Sequence, residues 1–316
     1  MKTTNFTLQD EEQFNLYIYQ WQPDTDDVAS YKGVVQIAHG MAETAARYAR
    51  FAEALTEQGY FVYAHDHRGH GRTAASTADL GHPGDDGFNW KVKNMAQVSM
   101  HIRNTHPTLP LYLMGHSMGS FLTQKYMYEY PHLVDGIILS GTNGPRGLLG
   151  AGRTLAKLEM SLRGERHPST LLNAMSFGSF NRAFRPTRTG FDWLSRDAAE
   201  VDKFIADPFC GFLCTSGFFY HFFGLLQEIH QPAQMQRIPK DLPIYVFSGD
   251  QDPVGLHGKG VRQLLKLYQE LGLSNVRSKL YRDGRHEMLN ETNRDEVTSD
   301  TIAWLNHQVE SRAMQA

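Results

Sequence analysis

A chain of 316 residues, 41% hydrophobic and 21% charged, can bury a sizeable core and can form one large domain or two. A net charge of −3 offers no basic surface for nucleic acid or anionic membranes. The start, Met1-Lys2-Thr3-Thr4-Asn5-Phe6, lacks the apolar core of a signal peptide. The greasiest stretch, residues 217–229, is broken by His221 and Glu228 and is too short to span a bilayer. Cys210 and Cys214 lie at most one helical turn apart, which suits two buried thiols in a reducing cytoplasm better than a disulfide framework or a zinc site.

Phe14, Leu16 and Ile18 alternate with Tyr17, Tyr19 and Trp21, which predicts an edge or antiparallel strand. The pattern then changes to apolar runs separated by helices. A strand at 34–38 precedes Tyr48, Phe51 and Leu55 at helical spacing, and a strand at 60–64 precedes a helix marked by Met95, Val98 and Ile102. Residues 111–114 form the next strand, Gly115-His116-Ser117-Met118-Gly119 a turn, and Phe121, Leu122, Lys125 and Tyr126 a helix, followed by a strand at 136–140. Such alternation predicts an α/β fold with a mostly parallel sheet and helices on both faces. The rhythm stops near Thr142 and returns near Pro243 with a strand at 244–247, a helix through Val261, Leu264, Leu265 and Tyr268, a strand at 276–281 and a last helix carrying Ile302, Leu305 and Val309. The expected division is a core of residues 1–141 and 242–316 with a helical cap at 142–241.

At 115–119 a serine stands between two glycines where a strand becomes a helix, so its hydroxyl is lifted clear of the sheet. This resembles the nucleophile elbow of α/β-hydrolases. Three further stretches carry the likeness. His39-Gly40-x-x-Glu43-x-x-x-Arg47-Tyr48, the run His65-Asp66-His67-Arg68-Gly69-His70-Gly71-Arg72-Thr73 and Gly284-Arg285-His286-Glu287-Met288-Leu289-Asn290-Glu291 resemble the monoacylglycerol lipase, lysophospholipase and serine aminopeptidase-like group, with Thr73 where serine is usual. The resemblance covers residues 30–140 and 240–310. It implies an α/β-hydrolase fold whose insertion, after the sixth strand, is a lid over the active site. The elbow differs from the G-G-S-W-G of proline iminopeptidases, which counts against peptide-bond specificity.

The group's chain order of serine, acid and histidine implies Ser117 as nucleophile and His286 as base, in preference to His257 and His307. Asp252 is expected as the acid, with Asp250 as the alternative. The backbone amides of Met41 and Met118 are the expected oxyanion hole, Gly40 letting the backbone turn its amides inward. Asp66 and Arg68 are read as bracing that loop. A metal site at His65, His67 and His70 is the rival reading of the same stretch. Substrate contacts are expected from Gly40, His116, Phe218, Phe219 and Phe222. The crowd of Phe209, Phe212, Phe218, Phe219, Phe222 and Phe223 forms either the core of the cap or an acyl tunnel and membrane-facing lip. Glu200, Asp202 and Glu228 are the residues that could hold a substrate ammonium in an aminopeptidase. The resemblance and the apolar cap favour an ester hydrolase that needs no cofactor or metal and acts on single-chain lipid esters. Alternatives are an amide or peptide hydrolase, a small-ester esterase, or a silent binding protein on this fold.

Overall fold

A computed structural model of the protein describes residues 1–314. Strands β1 (Lys2–Gln9) and β2 (Asn15–Gln22) form an antiparallel hairpin. Then come β3 (Gly33–Ala38), α1 (Ala49–Glu57), β4 (Tyr60–His65), α2 (Gly87–Thr105), β5 (Leu111–His116), α3 (Met118–Glu129) and β6 (Gly136–Ser140). Helices α4 (Leu149–Arg163), α5 (Thr170–Phe177), α6 (Ala198–Ala206), α7 (Ser216–Glu228) and α8 (Pro232–Met235) fill the insertion. The chain ends with β7 (Ile244–Gly249), α9 (Lys259–Glu270), β8 (Val276–Tyr281) and α10 (Arg294–Ala313).

The eight strands make one sheet in the order β1-β2-β4-β3-β5-β6-β7-β8, parallel from β4 onward. Strands β3 to β7 are buried along their whole length, which is why they read as continuous apolar runs. Gln36 interrupts β3 without penalty, because its amide is bonded by the Met95 carbonyl and the Ser99 hydroxyl of α2. One apolar cluster lies between the sheet and α2, α3 and α9, and a second between the sheet and α1 and α10. The result is a three-layer α/β/α core.

Strand β1 escaped the pattern reading. Its residues are mostly polar and exposed, and the alternation of Phe6 and Leu8 is too short to mark it; β2 supplies its ladder from Lys2↔Gln22 to Gln9↔Asn15. β2 is therefore antiparallel but not an edge, since it also pairs with β4. With β1 counted, the insertion follows the sixth strand. Its helix α7 shares the first apolar cluster with α2 and α3, so this part of the cap is continuous with the core rather than a separate body.

Candidate active site

Strands β4 and β5 lie on opposite sides of β3, so the chain leaves the carboxyl ends of β3 and β5 in opposite directions. Such a reversal opens a crevice where ligands bind in open α/β sheets. Ser117 stands there, between β5 and α3, with φ 52° and ψ −117°, a conformation that costs a non-glycine residue free energy. The surrounding structure holds it: the Ser117 N–H donates to the Ser140 carbonyl at 2.9 Å. A Cβ on Gly119 would collide with the Ala38 and His39 carbonyls, and one on Gly115 with the Gly119 carbonyl. Only glycines let the elbow sit this close to β3.

The loop after β7 carries Asp252, fully buried, and the loop after β8 carries His286. Asp252 Oδ2 lies 3.0 Å from His286 Nδ1 and accepts from the Ser248 hydroxyl at 3.0 Å, while Oδ1 accepts the Val254 N–H at 2.8 Å. Asp250 is turned away; its Oδ1 accepts the Asp283 N–H at 2.9 Å and pins the turn that leads to His286. Burial alone would lower the His286 pKa, but the charge and hydrogen bond of Asp252 outweigh it and hold the pKa above its usual 6.5. The same pairing keeps Asp252 ionised despite burial. The Ser117 hydroxyl makes no hydrogen bond to a described residue. Such bonds often tighten only with substrate present.

His39 Nδ1 bonds the Gly40 carbonyl at 2.8 Å, and its Nε2 accepts the His67 N–H at 2.9 Å, which fixes the tautomer. Because a trans peptide points its C=O and N–H in opposite directions, the bound Gly40 carbonyl turns the Met41 N–H to the other side. Among the described residues neither the Met41 nor the Met118 N–H has a protein acceptor, and Met118 opens α3, whose N-terminus favours negative charge. Gly40 serves by lacking a side chain rather than by conformational freedom: a Cβ there would lie 3.3 Å from Ser117 Cβ, whereas the positive φ falls at Ala42.

A buried clamp ties this loop to the histidine. Glu43 accepts the Gly40 N–H and the Tyr48 hydroxyl, and pairs with Arg47 at 2.6 Å. Arg47 also binds both oxygens of Glu287, the residue after His286, at 2.7 Å each. Burial would raise the Glu287 pKa, but Arg47 prevails and lowers it to about 2. A carboxyl pKa depressed on folding stabilises above its unfolded value near 4.5, and the contribution is lost as pH falls toward 2. Arg47→Met strands two buried carboxylates and is expected to cost about 3–5 kcal/mol. Urea unfolding at pH 7 measures that loss, and the gap from wild type should shrink between pH 5 and 2.

Two cavities meet at Ser117 and Met41. The smaller, about 440 Å³, is lined by His286, His116, Glu43, Glu287, Asn173 and Trp193 among others. Trp193 lies against the imidazole, ring centroids 5.1 Å apart, and His116 Nδ1 is 3.1 Å from the Ser140 hydroxyl. The larger, about 760 Å³, is lined by Met118, Phe121, Phe177, Phe180, Phe222 and Phe223 among others. Phe222, expected to contact substrate, lines this cavity. Phe218 and Phe219 do not: both are 0% exposed and pack in the core, Phe218 against Phe88 of α2. Helix α7, capped by the Thr215 hydroxyl, points one pair of rings inward and turns the next pair to the cavity. Phe212 lines the smaller cavity, and Phe209 lines neither. Phe177, Phe180 and Trp193 escaped the sequence reading because short and irregular segments space them without a period.

Segment 192–197 is stitched to the histidine loop. The Glu287 N–H donates to the Leu194 carbonyl, the Ser195 hydroxyl to the Asn290 carbonyl, and the Arg285 guanidinium to the Ser195 carbonyl. Arg196 pairs with Glu291 at 2.8 Å and Arg294 with Asp197 at 2.7 Å.

The remaining candidates lie outside the site. Asp66 braces the loop through Thr44 and Ala45, at 2.8 Å each. Arg68 instead pairs with Asp10 and Glu12, beside the β1–β2 turn, and stacks on Phe14 and Trp90. His65, His67 and His70 are fully buried, where burial disfavours their charged forms. Among the described residues no three His, Cys, Asp or Glu side chains are arranged to hold a metal. Glu200 pairs with Arg50 and Lys203, Asp202 with Arg188, and Glu228 with Lys125, and none lines either cavity. Cys214 is buried beside the smaller cavity, and both thiols are free. No helix among the described residues is long and apolar enough to cross a membrane.

Holding a serine on a strained strand-to-helix turn, at the reversal point of a mostly parallel sheet, is the mark of the α/β-hydrolases, and this protein has their fold. The match of residues 29–293 to the family described as serine aminopeptidase, S33, makes the chain a member of it. It is 31% identical over 293 residues to monoacylglycerol lipase of Mycolicibacterium smegmatis, covering 90% of each chain. It is 25% identical over 307 residues to monoglyceride lipase of Homo sapiens, covering 95% of this chain and 88% of that one. A thermostable carboxyl esterase from Bacillus coagulans, solved with glycerol, superposes with a TM-score of 0.89 at 27% identity, covering 98% of this chain and 99% of that one. By class the protein is a carboxylic ester hydrolase.

Proposed function

We propose that the protein hydrolyses single-chain lipid esters, monoacylglycerols foremost, through an acyl-enzyme on Ser117. One observation carries the reading: Ser117 stands where two largely apolar cavities meet, the smaller of which also holds His286, Glu43, Glu287 and Asn173. Ser117 Oγ attacks the ester carbonyl while His286 Nε2 takes its proton, and Asp252 holds the Nδ1–H tautomer and the imidazolium that forms. The Met41 and Met118 amides receive the oxyanion. His286 then passes its proton to the leaving alcohol, and water repeats the sequence on the acyl group.

That proton sets the orientation. The leaving oxygen must lie beside His286, which lines the smaller cavity and not the larger. The alcohol therefore takes the smaller cavity, whose Glu43, Asn173 and Glu287 suit hydroxyl groups, and the acyl chain takes the larger. The named lipase and esterase relatives support a glycerol-like alcohol. Exposed Leu148, Leu158, Leu162, Leu171 and Met175 on the cap favour transient contact with a lipid surface during substrate uptake.

An acyl series on p-nitrophenyl esters tests this. Each buried methylene contributes about 0.8 kcal/mol, so three more carbons should raise kcat/KM roughly 50-fold. Phe222→Ala and Phe223→Ala should flatten the slope with little change in acetyl ester turnover. Phe218→Ala should keep the slope and lose about 3–5 kcal/mol of stability. Acetyl esters as the best substrates, with a flat series, would leave a small-ester esterase instead.

A further inference from the structure

The larger cavity is lined by polar side chains that the chemistry at Ser117 does not use. Asn143, 1% exposed, accepts the Gly144 N–H through Oδ1 at 2.9 Å, while its Nδ2 has no partner among the described residues. His230, just past α7, lies near the Leu226 and Asn143 carbonyls without a hydrogen bond of good geometry. Burial lowers its pKa to about 4, so the ring is neutral with one N–H to give. Arg146, three residues after Asn143, is half-buried; it feels the charge of Asp252, but no carboxylate lies within salt-bridge reach among the described residues. Its hydrogen bonding amounts to a 3.5 Å contact with the Val254 carbonyl, at the limit of such a bond. Arg47 and Arg68 each hold two carboxylates, whereas Arg146, like Arg153 and Arg285, is in no salt bridge among the described residues.

Asn143, Arg146 and His230 all line the cavity that, on the reading above, receives the acyl chain. Donors buried without acceptors destabilise a fold, and a cation without an anion does so more. Charge is also divided across Ser117, since the smaller cavity carries Glu43 and Glu287 and the larger carries Arg146. An anionic group on the substrate is repelled from the first and drawn to the second.

We propose that Arg146, with the Asn143 amide and the His230 ring, binds a carboxylate at the far end of the substrate's acyl group. The substrate class is then an ester of a dicarboxylic acid with one end free, its methylenes on the phenylalanine walls and its terminal carboxylate on the guanidinium. The inference rests on the acyl assignment of the larger cavity.

The test uses the full chain with mono-p-nitrophenyl esters of adipic, suberic and sebacic acids beside p-nitrophenyl hexanoate, octanoate and decanoate. At one length or more the wild type should have the higher kcat/KM on the acid-tipped ester. Arg146→Met should lower that value tenfold or more, chiefly through KM, and leave the neutral ester of that length within twofold. Arg146→Lys should retain part of the preference. An equal fall on both esters, or no acid-tip preference in the wild type, overturns the proposal. Free octanoate as an inhibitor separates the other source of a carboxylate. If Arg146→Met weakens octanoate inhibition while no acid-tipped ester is preferred, the site takes the product and the proposal is wrong. Wild type inert on all six esters would sink the esterase reading itself, whereas activity on neutral esters without an Arg146-dependent preference sinks only this one.

Discussion

Ser117→Ala should abolish ester hydrolysis and labelling by a fluorophosphonate, with a loss on the order of 10⁴-fold or more in kcat. The fold should survive, because the strained φ of 52° at this position is held by the Ser140 carbonyl and the glycine contacts rather than by the hydroxyl. An unchanged unfolding midpoint beside dead activity is the expected pair of results. Chelators should leave the wild type untouched. Full turnover in Ser117→Ala, lost with EDTA, would move the chemistry away from the elbow altogether.

Asp252→Asn should cost about 10⁴ in kcat, since the amide presents an N–H to His286 and favours the wrong tautomer. Asp250→Asn should cost far less, because its carboxylate holds the Asp283 amide and does not face the imidazole. The pH profile gives an independent reading. The base must be neutral, and Asp252 holds the His286 pKa above 6.5 against the effect of burial. Wild-type kcat/KM should therefore rise with pH through a midpoint above 6.5 and level off in mild alkali. In Asp252→Asn only burial and the more distant Glu287 and Glu43 remain, so the acid limb should move to lower pH. An unmoved limb would mean that Asp252 does not set the imidazole's charge.

Much of this architecture can be read from the chain because burial on both faces of a parallel sheet leaves long apolar runs. The elbow and the loop around His286 are legible for a related reason: each needs particular residues at fixed spacing. What stays hidden depends on partners distant in sequence. β1 has only Phe6 and Leu8 on its inner face, too few to mark it, and pairs with β2 along its length. Arg68 lies in a motif next to Asp66, yet its carboxylates come from Asp10 and Glu12. The four phenylalanines of α7 look alike in sequence, and only tertiary packing separates Phe218, wholly buried against Phe88, from Phe222, which also touches Phe88 but reaches the cavity. Glu287 and Arg47 are 240 positions apart and meet only once β3 and β8 have joined one sheet.

The stitching of segment 192–197 to the histidine loop bears on how such proteins diversify. A cap spliced in between β6 and β7 looks like a cassette, replaceable by any insertion with matching ends. Here its middle carries the carbonyls and ion pairs that steady the stretch from Arg285 to Arg294. Exchanging the whole insertion would loosen the loop that carries His286 along with the inserted helices, so a workable graft must leave the 192–197 segment with the host. Crossover points that keep these contacts lie inside the insertion, on either side of that segment, and not at the strand ends where sequence alone would put them.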